Sequence, residues 1–346
     1  LRALRAAFPA ARITLAGLPW ARELRGWFPR YITDFIAFPG FPGLPEGEVD
    51  AAAYGRFVDE CRTRRFDVAV QMHGDGRLTN GIVRGLGAVH SYGFHPGGTP
   101  APQQDGYLAW PEDGHEIHRL LKLTEFLGAP RCGDQLEFPL DHADTVAFFH
   151  RDDTRPLRRG EYVCIHPGAR LASRRWPPER FARVADALVD LGLTVVLTGA
   201  GVERQLNDEV AARMRGPVLN LAGRTTLREV AALLRHSRLV VCNDTGVSHL
   251  AAAVGARSLV LVTGSDPRRW APLRRRRHAV LYHPVGCRPC TYDQCPIGHR
   301  CAISLSVPEV TAAARRMAAA RRRTEAPPVL PTLIEKTRPI CGPFES

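Results

Sequence analysis

From residue 161 onward, short apolar segments alternate with amphipathic helical segments. The apolar segments have the length of strands and lie at 162–165, 194–198, 218–221, 239–242 and 258–262. Helical periodicity recurs at 178–191, 202–215, 226–235 and 246–254. Strands that are apolar on both faces must be covered on both sides, which is typical of a parallel sheet between helices. The pattern predicts an α/β domain over residues 161–320.

The N-terminal half has a similar rhythm with longer loops. Strand-like segments occur at 13–16, 32–38, 66–72 and 89–94, and helical segments occur at 50–64 and 115–127. A chain of 346 residues is longer than a single hydrophobic core usually supports. We therefore expect a second Rossmann-like domain at 1–150, a charged linker at 151–160 and a proline-rich, disordered tail at 321–346.

The chain starts with Leu1 inside an amphipathic helical segment that a strand-like segment follows. In an α/β domain, a strand and its ligand-binding loop would normally come before such a helix. We expect this first strand and loop to be missing from the N-terminal domain.

The charge balance is basic, with 47 Lys and Arg against 35 Asp and Glu and a net charge of +12. Such a balance indicates an anionic partner. The arginine runs are not interleaved with aromatic residues, as a nucleic-acid surface would require, so we predict no nucleic-acid partner.

Other features of composition predict a cytoplasmic protein. No apolar stretch approaches the ~18 residues that span a bilayer, and no secretory leader precedes the first motif. The nine cysteines are an odd number scattered along the chain, which does not indicate a framework of disulfide bonds. The arginine run at 274–277 is either a solvated surface or a peripheral contact with the acidic inner-membrane face.

The sharpest motif is an apolar strand that turns through Asn243-Asp-Thr-Gly246 into a helix containing Ser248 and His249. The free N–H groups and positive dipole end of such a helix, with the Thr245 and Ser248 hydroxyls, suit a diphosphate. Gly246 permits close approach. The alternative is that Asp244 or Thr245 caps the helix and His249 packs in the core.

Other strand ends in the same half carry polar residues. Gly168 follows the first strand, and Arg174 and Arg175 stand where a loop would cross the crevice and bind phosphate. Glu203 begins a helix, where it either binds ribose hydroxyls or complements the helix dipole. Because the carboxyl ends of parallel strands line one crevice, these residues predict a single ligand cleft.

A further strand-to-helix turn holds Thr225, Thr226 and Leu227, and its backbone could meet a nucleotide base. The spacing of Thr226 and Glu229 is also that of a capping box. The turn therefore predicts either one wall of the cleft or a helix start.

In this order and spacing the motifs resemble glycosyltransferase family 9, the lipopolysaccharide heptosyltransferases. The resemblance is carried by His166-Pro-Gly, Arg174-Arg-Trp-Pro, Gly199 to Glu203, Asn243-Asp-Thr-Gly-Val-Ser-His and Gly264-Ser-Asp-Pro. It implies a GT-B fold, with two Rossmann-like domains facing a central cleft, and inverting transfer of heptose from ADP-heptose to a lipopolysaccharide-core or lipid-linked sugar, without a cofactor.

The resemblance also implies roles in the second domain. Arg174 stands in place of a phosphate-contacting lysine, and Glu203 would hold ribose. Residues 225–227 would border adenine, and residues 244–249 would hold the diphosphate and heptose. Another nucleotide-sugar transferase, or a sugar-nucleotide epimerase of GT-B fold, is the alternative function.

Inversion requires a base for the acceptor hydroxyl proton. The family places an aspartate in the loop that we expect to be missing, so the base is unknown. His73 and Asp75, at a predicted strand end, are candidates for the base, and His73 is also a candidate for acceptor binding. His115, Glu116 and Arg119 are acceptor candidates at the start of one helix, unless that helix end is merely solvated.

Cys287, Cys290, Cys295 and Cys301 form the pattern C-x2-C-x4-C-x5-C. The first pair has the spacing of a zinc site, and the later spacing is irregular. Zinc, an iron–sulfur cluster and reduced thiols all remain open, and we assign no metal.

Overall fold

The computed structural model describes residues 1–44, 50–101 and 106–320. The predicted disordered tail at 321–346 lies outside these residues. Among the helices within the described ranges, none is long and apolar enough to cross a membrane.

The N-terminal half contains two small parallel sheets. Its elements are α1 (Arg2–Ala7), β1 (Thr14–Gly17), α2 (Glu23–Trp27), β2 (Asp34–Ala37), α3 (Ala51–Arg64), β3 (Val68–Val70), α4 (Thr79–Gly85), β4 (His90–His95), β5 (Gly106–Ala109), α5 (Glu116–Phe126) and α6 (His142–His150). Strand β1 pairs with β2, and β4 lies between β3 and β5.

The C-terminal half contains one six-stranded sheet. Its elements are β6 (Tyr162–His166), α7 (Pro178–Val189), β7 (Thr194–Leu197), α8 (Arg204–Arg213), β8 (Val218–Asn220), α9 (Leu227–His236), β9 (Leu239–Asn243), α10 (Gly246–Ala253), β10 (Ser258–Leu261), α11 (Pro267–Trp270), β11 (His278–Leu281), α12 (Arg300–Ile303) and α13 (Val307–Ala319).

The order of this sheet is β11-β10-β9-β6-β7-β8, and all its pairs are parallel. This is the Rossmann order, in which the direction of winding reverses between the first and fourth strands, here β6 and β9. Ligands bind outside the carboxyl ends of the strands at such a reversal. The fold therefore predicts a ligand site at the residues that follow His166 and Asn243.

Two buried layers hold the C-terminal sheet. Val163 and Ile165 point to the layer built with α7 and α13, and Tyr162 and Cys164 point to the layer built with α9 and α10. This two-sided burial is the reason that the central residues of the strands are apolar on both faces, while polar residues such as Asn243 and Thr194 stand at the strand ends. The predicted parallel α/β sheet is confirmed.

The segment between the two halves packs on both. Phe138 lies 5.5 Å from Trp27, measured between ring centroids, and also packs against the C-terminal core. Phe148 of α6 is fully buried in that same core, and Arg228 of α9 pairs with Asp144 of α6. Helix α6 thus packs against the C-terminal sheet, although the sequence pattern groups it with residues 1–150.

Candidate functional site

Asn243, the last residue of β9, fixes the shape of the crevice beside β6. Its Oδ1 accepts a hydrogen bond from Trp176 N at 3.0 Å, and its Nδ2 donates to Pro167 O at 2.8 Å. The side chain is fully buried. The motif that contains Asn243 does not predict this role, because only the folded loops reveal what the side chain joins.

Asp244 and Thr245 present buried oxygens to the crevice. Ser265 Oγ donates to Asp244 Oδ2. Among the described residues, neither Asp244 Oδ1 nor Thr245 Oγ1 has a hydrogen-bond partner. Buried polar atoms are normally paired, so these two oxygens are suited to the hydroxyl or N–H donors of a ligand.

The start of α10 is open to a ligand. Thr245 is its N-cap residue, but the Thr245 side chain makes no capping hydrogen bond. A side chain added at Gly246 would meet no atom within 4 Å. The Ser248 hydroxyl, in contrast, is fully buried and donates to Thr245 O at 2.8 Å. The helix start therefore offers main-chain N–H groups rather than hydroxyls.

His249 lies on the cleft side of α10 near Trp270. The two rings meet edge to face with their centroids 6.2 Å apart. Burial lowers the pKa of His249, and the neighbouring Asp244 carboxylate partly opposes that effect. His249 is therefore a neutral donor or acceptor rather than a cation at neutral pH.

Glu203 and Gly168 form a second contact in the crevice. Glu203 Oε2 accepts from Ala200 N at 2.8 Å and lies 3.9 Å from His166 Nε2. A Cβ atom at Gly168 would lie 1.9 Å from Glu203 Oε1. Burial lowers the pKa of His166, against the opposing effect of Glu203. The carboxylate thus both supports its own helix start and borders the crevice.

Arg174 and Arg175 lie in the loop between β6 and α7. Arg174 Nη2 donates to Cys290 O at 3.3 Å, while its Nε is buried without a partner within the described residues. Arg175 Nε donates to Ala169 O at 2.8 Å. Each guanidinium is anchored by one hydrogen bond and retains further N–H groups for an anion.

The turn after β8 divides into a cap and an open part. Thr226 and Glu229 form the predicted capping box, and Arg151 pairs with Glu229 at 2.6 Å. Thr225 Oγ1 is buried, and no described residue pairs with it. Leu227 is 46% exposed. Thr225 and Leu227 are therefore available to a ligand, and the Thr226 side chain is used by the helix.

The loops that carry the predicted donor residues contact one another. Asn243 Nδ2 donates to Gly168 O at 3.4 Å, which joins the loop beside Glu203 to the strand end before Asp244. A Cβ atom built on Gly264 would lie 3.5 Å from Arg174 Cγ, so the loop after β10 touches the loop before α7. A Cβ atom built on Gly223 would lie 2.9 Å from Gly201 Cα, so the loops after β7 and β8 also touch.

The acceptor candidates on α5 lie against the other domain. His115 Nδ1 accepts from Ile117 N at 3.2 Å, and its Nε2 lies 2.8 Å from Ala271 O. Glu116 Oε2 accepts from Arg119 and Arg269. Arg119 is 3% exposed and also donates to two main-chain oxygens. These three residues are placed at the cleft, and much of their bonding capacity is used within the protein.

His73 and Asp75 follow β3. His73 is exposed to solvent, and Asp75 is half-buried. Asp75 Oδ1 accepts from Arg77 N at 3.0 Å, and His73 O accepts from Thr79 Oγ1 at 3.0 Å. Because β3, β4 and β5 are parallel, both residues lie at the same sheet edge as Trp110, which follows β5.

The two sheet edges face each other. Arg269, which follows β10 in the C-terminal half, has its guanidinium carbon 5.8 Å from the centroid of the Trp110 ring. Both residues lie beyond the carboxyl ends of their strands. The contact therefore closes one end of a cleft into which both sets of strand ends open.

The cysteine-rich segment braces the crevice. Cys290 N donates to Gly264 O at 2.7 Å, and Ser173 O accepts from His299 Nε2 at 2.7 Å. Burial raises the pKa of the Cys301 thiol. In the part of the chain that the structure describes, no three His, Cys, Asp or Glu side chains are grouped to hold a metal ion. Sequence reasoning missed the bracing role because the contacts are mostly to main-chain atoms.

An α/β architecture of parallel sheets whose strand ends face one cleft is that of the GT-B class of glycosyltransferase folds, as predicted. The sequence profile of glycosyltransferase family 9 (heptosyltransferase) matches residues 55–300, and the chain belongs to this family. The structure is similar to that of a glycosyltransferase of family 9 from Veillonella parvula, with a TM-score of 0.76 and 18% identity over 92% of this chain and 91% of that one.

Two relatives from Escherichia coli extend the comparison. Lipopolysaccharide heptosyltransferase 2 of strain K12 is 25% identical over 312 residues, which cover 82% of this chain and 84% of the relative. The structure of the E. coli ADP-heptose lipopolysaccharide heptosyltransferase II has a TM-score of 0.68, with 20% identity over 92% of each chain.

Proposed function

We propose that the protein transfers heptose from ADP-heptose to a sugar of the lipopolysaccharide core, with inversion at the anomeric carbon. Membership of family 9 and the names of the relatives support the reaction. The observation that carries the assignment of the site is the pair of buried oxygens, Asp244 Oδ1 and Thr245 Oγ1, at the strand reversal. They lie where the Rossmann fold receives a nucleotide ligand.

The donor occupies the C-terminal crevice in this proposal. Glu203, accommodated by Gly168, accepts from the ribose hydroxyls, and Thr225, Thr226 and Leu227 border the adenine. Thr225 Oγ1 supports this placement because it is buried without a partner among the described residues. The half-exposed Leu227 side chain offers the base an apolar surface.

The diphosphate lies at the start of α10, between Gly246 and the two arginines. The main-chain N–H groups of Gly246 and Val247 and the positive end of the helix dipole face the phosphate oxygens, while the N–H of Ser248 donates to Thr245 O at 3.0 Å. Arg174 and Arg175 add charge-assisted hydrogen bonds. As the glycosidic bond breaks, negative charge grows on the leaving ADP, and these groups stabilise it.

The heptose lies toward Asp244 and His249. Asp244 Oδ1 accepts from sugar hydroxyls, while Ser265 holds the other carboxylate oxygen. His249 is kept neutral by burial, so it forms hydrogen bonds with the sugar without adding charge beside the diphosphate. This division assigns phosphate recognition to cations and helix N–H groups, and sugar recognition to Asp244.

The acceptor enters from the N-terminal sheet edge. His73 and His115, with Glu116 and Arg119 behind them, form that side of the cleft. Inversion requires a base opposite the departing ADP, and His73 or Asp75 would take the acceptor proton. Reaction at the cytoplasmic face of the membrane, with the arginines at 274–277 toward acidic lipid, completes the proposal.

Titration calorimetry tests the donor assignment. ADP and ADP-heptose should bind in the micromolar range, and the matched UDP-sugars should bind at least about ten-fold more weakly. A product assay with a heptose-deficient core as acceptor should show transfer of one heptose. Equal affinity for the UDP-sugars would instead favour another GT-B transferase or an epimerase.

A further inference from the structure

A cluster of five side chains joins the two domains at one end of the cleft. This cross-cleft cluster consists of Trp110, Glu116 and Arg119 from the N-terminal half and Arg269 and Trp270 from the C-terminal half. Arg269 Nε donates to Glu116 Oε2 at 2.8 Å. The guanidinium carbon of Arg269 lies 5.8 Å from the Trp110 ring centroid, and that of Arg119 lies 4.3 Å from it.

The charges in the cluster allow the contact to be released. Glu116 Oε2 also accepts from Arg119, whose side chain is 2% exposed and belongs to the same domain. When Arg269 leaves, Glu116 therefore keeps a cationic partner and no buried charge is stranded. Stranding one would cost several kcal/mol. Arg269 itself is 37% exposed and is easily solvated.

The cluster also contacts the helix that faces the donor. Trp270 lies 4.8 Å from the Arg269 guanidinium carbon and meets His249 of α10 edge to face at 6.2 Å. The next residue, Ala271, lies with its carbonyl oxygen 2.8 Å from His115 Nε2. Movement of α10 against Trp270 would therefore reach the segment that holds Arg269.

We infer that Arg269 is a positioning residue that holds the two domains closed for sugar transfer by inserting between Glu116 and Trp110. Arg119 keeps Glu116 neutralised when the cleft opens, which makes the contact reversible. The inference concerns domain closure and does not depend on which sugar or nucleotide is bound.

Arg268 provides a matched control for Arg269. It is the preceding residue and has the same side chain, and its guanidinium pairs with Asp266 of its own segment at 3.2 Å. The variants Arg269→Ala and Arg268→Ala therefore remove the same atoms from neighbouring positions. Within the described part of the chain, the first substitution removes a hydrogen bond and a ring contact between the domains, and the second removes an ion pair within one segment and a weaker, longer-range attraction to Asp113.

Small-angle X-ray scattering without nucleotide is the primary measurement. We expect Arg269→Ala to have a larger radius of gyration than the wild type, and Arg268→Ala to match the wild type. A radius for Arg269→Ala equal to that of Arg268→Ala would overturn the inference. This measurement does not require heptose transfer, so it stands even if the proposed donor is wrong. Circular dichroism checks folding, and Arg269→Gln, which keeps much of the side chain and removes the charge, replaces Arg269→Ala if that variant fails to fold and should show the same larger radius.

Kinetics and a double-mutant cycle separate positioning from direct donor binding. We expect Arg269→Ala to lower kcat about ten-fold while the Kd for ADP changes less than about two-fold. In a Glu116→Gln background, the same substitution should lower kcat by less than about three-fold. A fully additive cycle would show that Arg269 acts without Glu116. Loss of ADP binding by the wild type itself would count against the proposed function and not against closure.

Discussion

Gly168 lies so close to Glu203 that a methyl group at residue 168 would meet Glu203 Oε1 at 1.9 Å. One of the two groups must shift at such an approach, and the Glu203 carboxylate, whose Oε2 accepts from Ala200 N at 2.8 Å, is the group that would move. The glycine therefore leaves room for the carboxylate in its observed position. This relationship gives a short sequence motif a physical meaning, because the loop after β6 and the helix start after β7 must fit together.

Substitution of Gly168 by alanine should weaken ADP binding. The methyl group would displace the Glu203 carboxylate from the crevice, and the proposed ribose contact is worth about 1.5–3 kcal/mol for a charged hydrogen bond. We expect the Kd for ADP to rise at least ten-fold in calorimetry. Gly201→Ala is the control, since its added methyl group would meet nothing within 4 Å. An unchanged Kd for Gly168→Ala would remove Glu203 from the site.

Substitution of Asp244 by alanine should affect the sugar and spare the nucleotide. Asp244 Oδ1 is buried and lacks a partner among the described residues, and we place heptose hydroxyls against it. We expect kcat/KM for ADP-heptose to fall by about thirty-fold, which corresponds to about 2 kcal/mol, while ADP binds within two-fold of the wild type. Equal losses for both ligands would place Asp244 against the diphosphate instead.

Trp176 should be the most costly tryptophan to truncate. It is fully buried between α7 and the segment that joins α12 to α13. Its Nε1 donates a hydrogen bond to Leu305 O of that segment at 3.1 Å. Trp176→Ala should lower the free energy of unfolding of the C-terminal domain by about 3–5 kcal/mol in urea denaturation. Trp20→Ala is the comparison, because Trp20 is 67% exposed and its loss should cost under about 0.5 kcal/mol.

Much of the C-terminal half could be predicted because each of its signals is local. The strands at 162–165 and 239–242 are apolar throughout, and observed β6 and β9 extend each by one residue. Strand β11 was missed because its four residues start at a histidine that follows four arginines. Its burial depends on pairing with β10, which no local pattern reports.

The candidate site could be predicted in outline for the same reason. Polar residues at strand ends indicate a crevice, and the loops that carry Glu203, Asp244 and Arg174 do contact one another. Their individual bonds could not be foreseen. The Ser248 hydroxyl bonds its own helix, and Arg119 is buried against Trp110 rather than solvated. Such assignments depend on which side chain lies within hydrogen-bond distance of a given oxygen. Tertiary packing decides that.

The buried His278 should make the C-terminal domain less stable in mild acid. Burial, with smaller contributions from Arg277, Arg274 and Arg275, lowers its pKa from 6.5 to about 4. Between these two values the unfolded chain binds a proton that the folded domain excludes. Stability is therefore complete above pH ~6.5 and falls toward pH 4, by on the order of 3 kcal/mol from this group.

Urea denaturation of His278→Asn across this range checks the effect. The variant loses a hydrogen bond with Ser258 Oγ, which lies 2.8 Å from His278 Nδ1, so it should be less stable at pH 7. Its stability should nevertheless fall less steeply than that of the wild type between pH 6.5 and 4, because one titrating group is gone. The exposed His142 offers a control, and His142→Asn should retain the wild-type slope. Parallel curves for His278→Asn and the wild type would show that His278 is protonated equally in both states and does not contribute to the acid sensitivity of the domain.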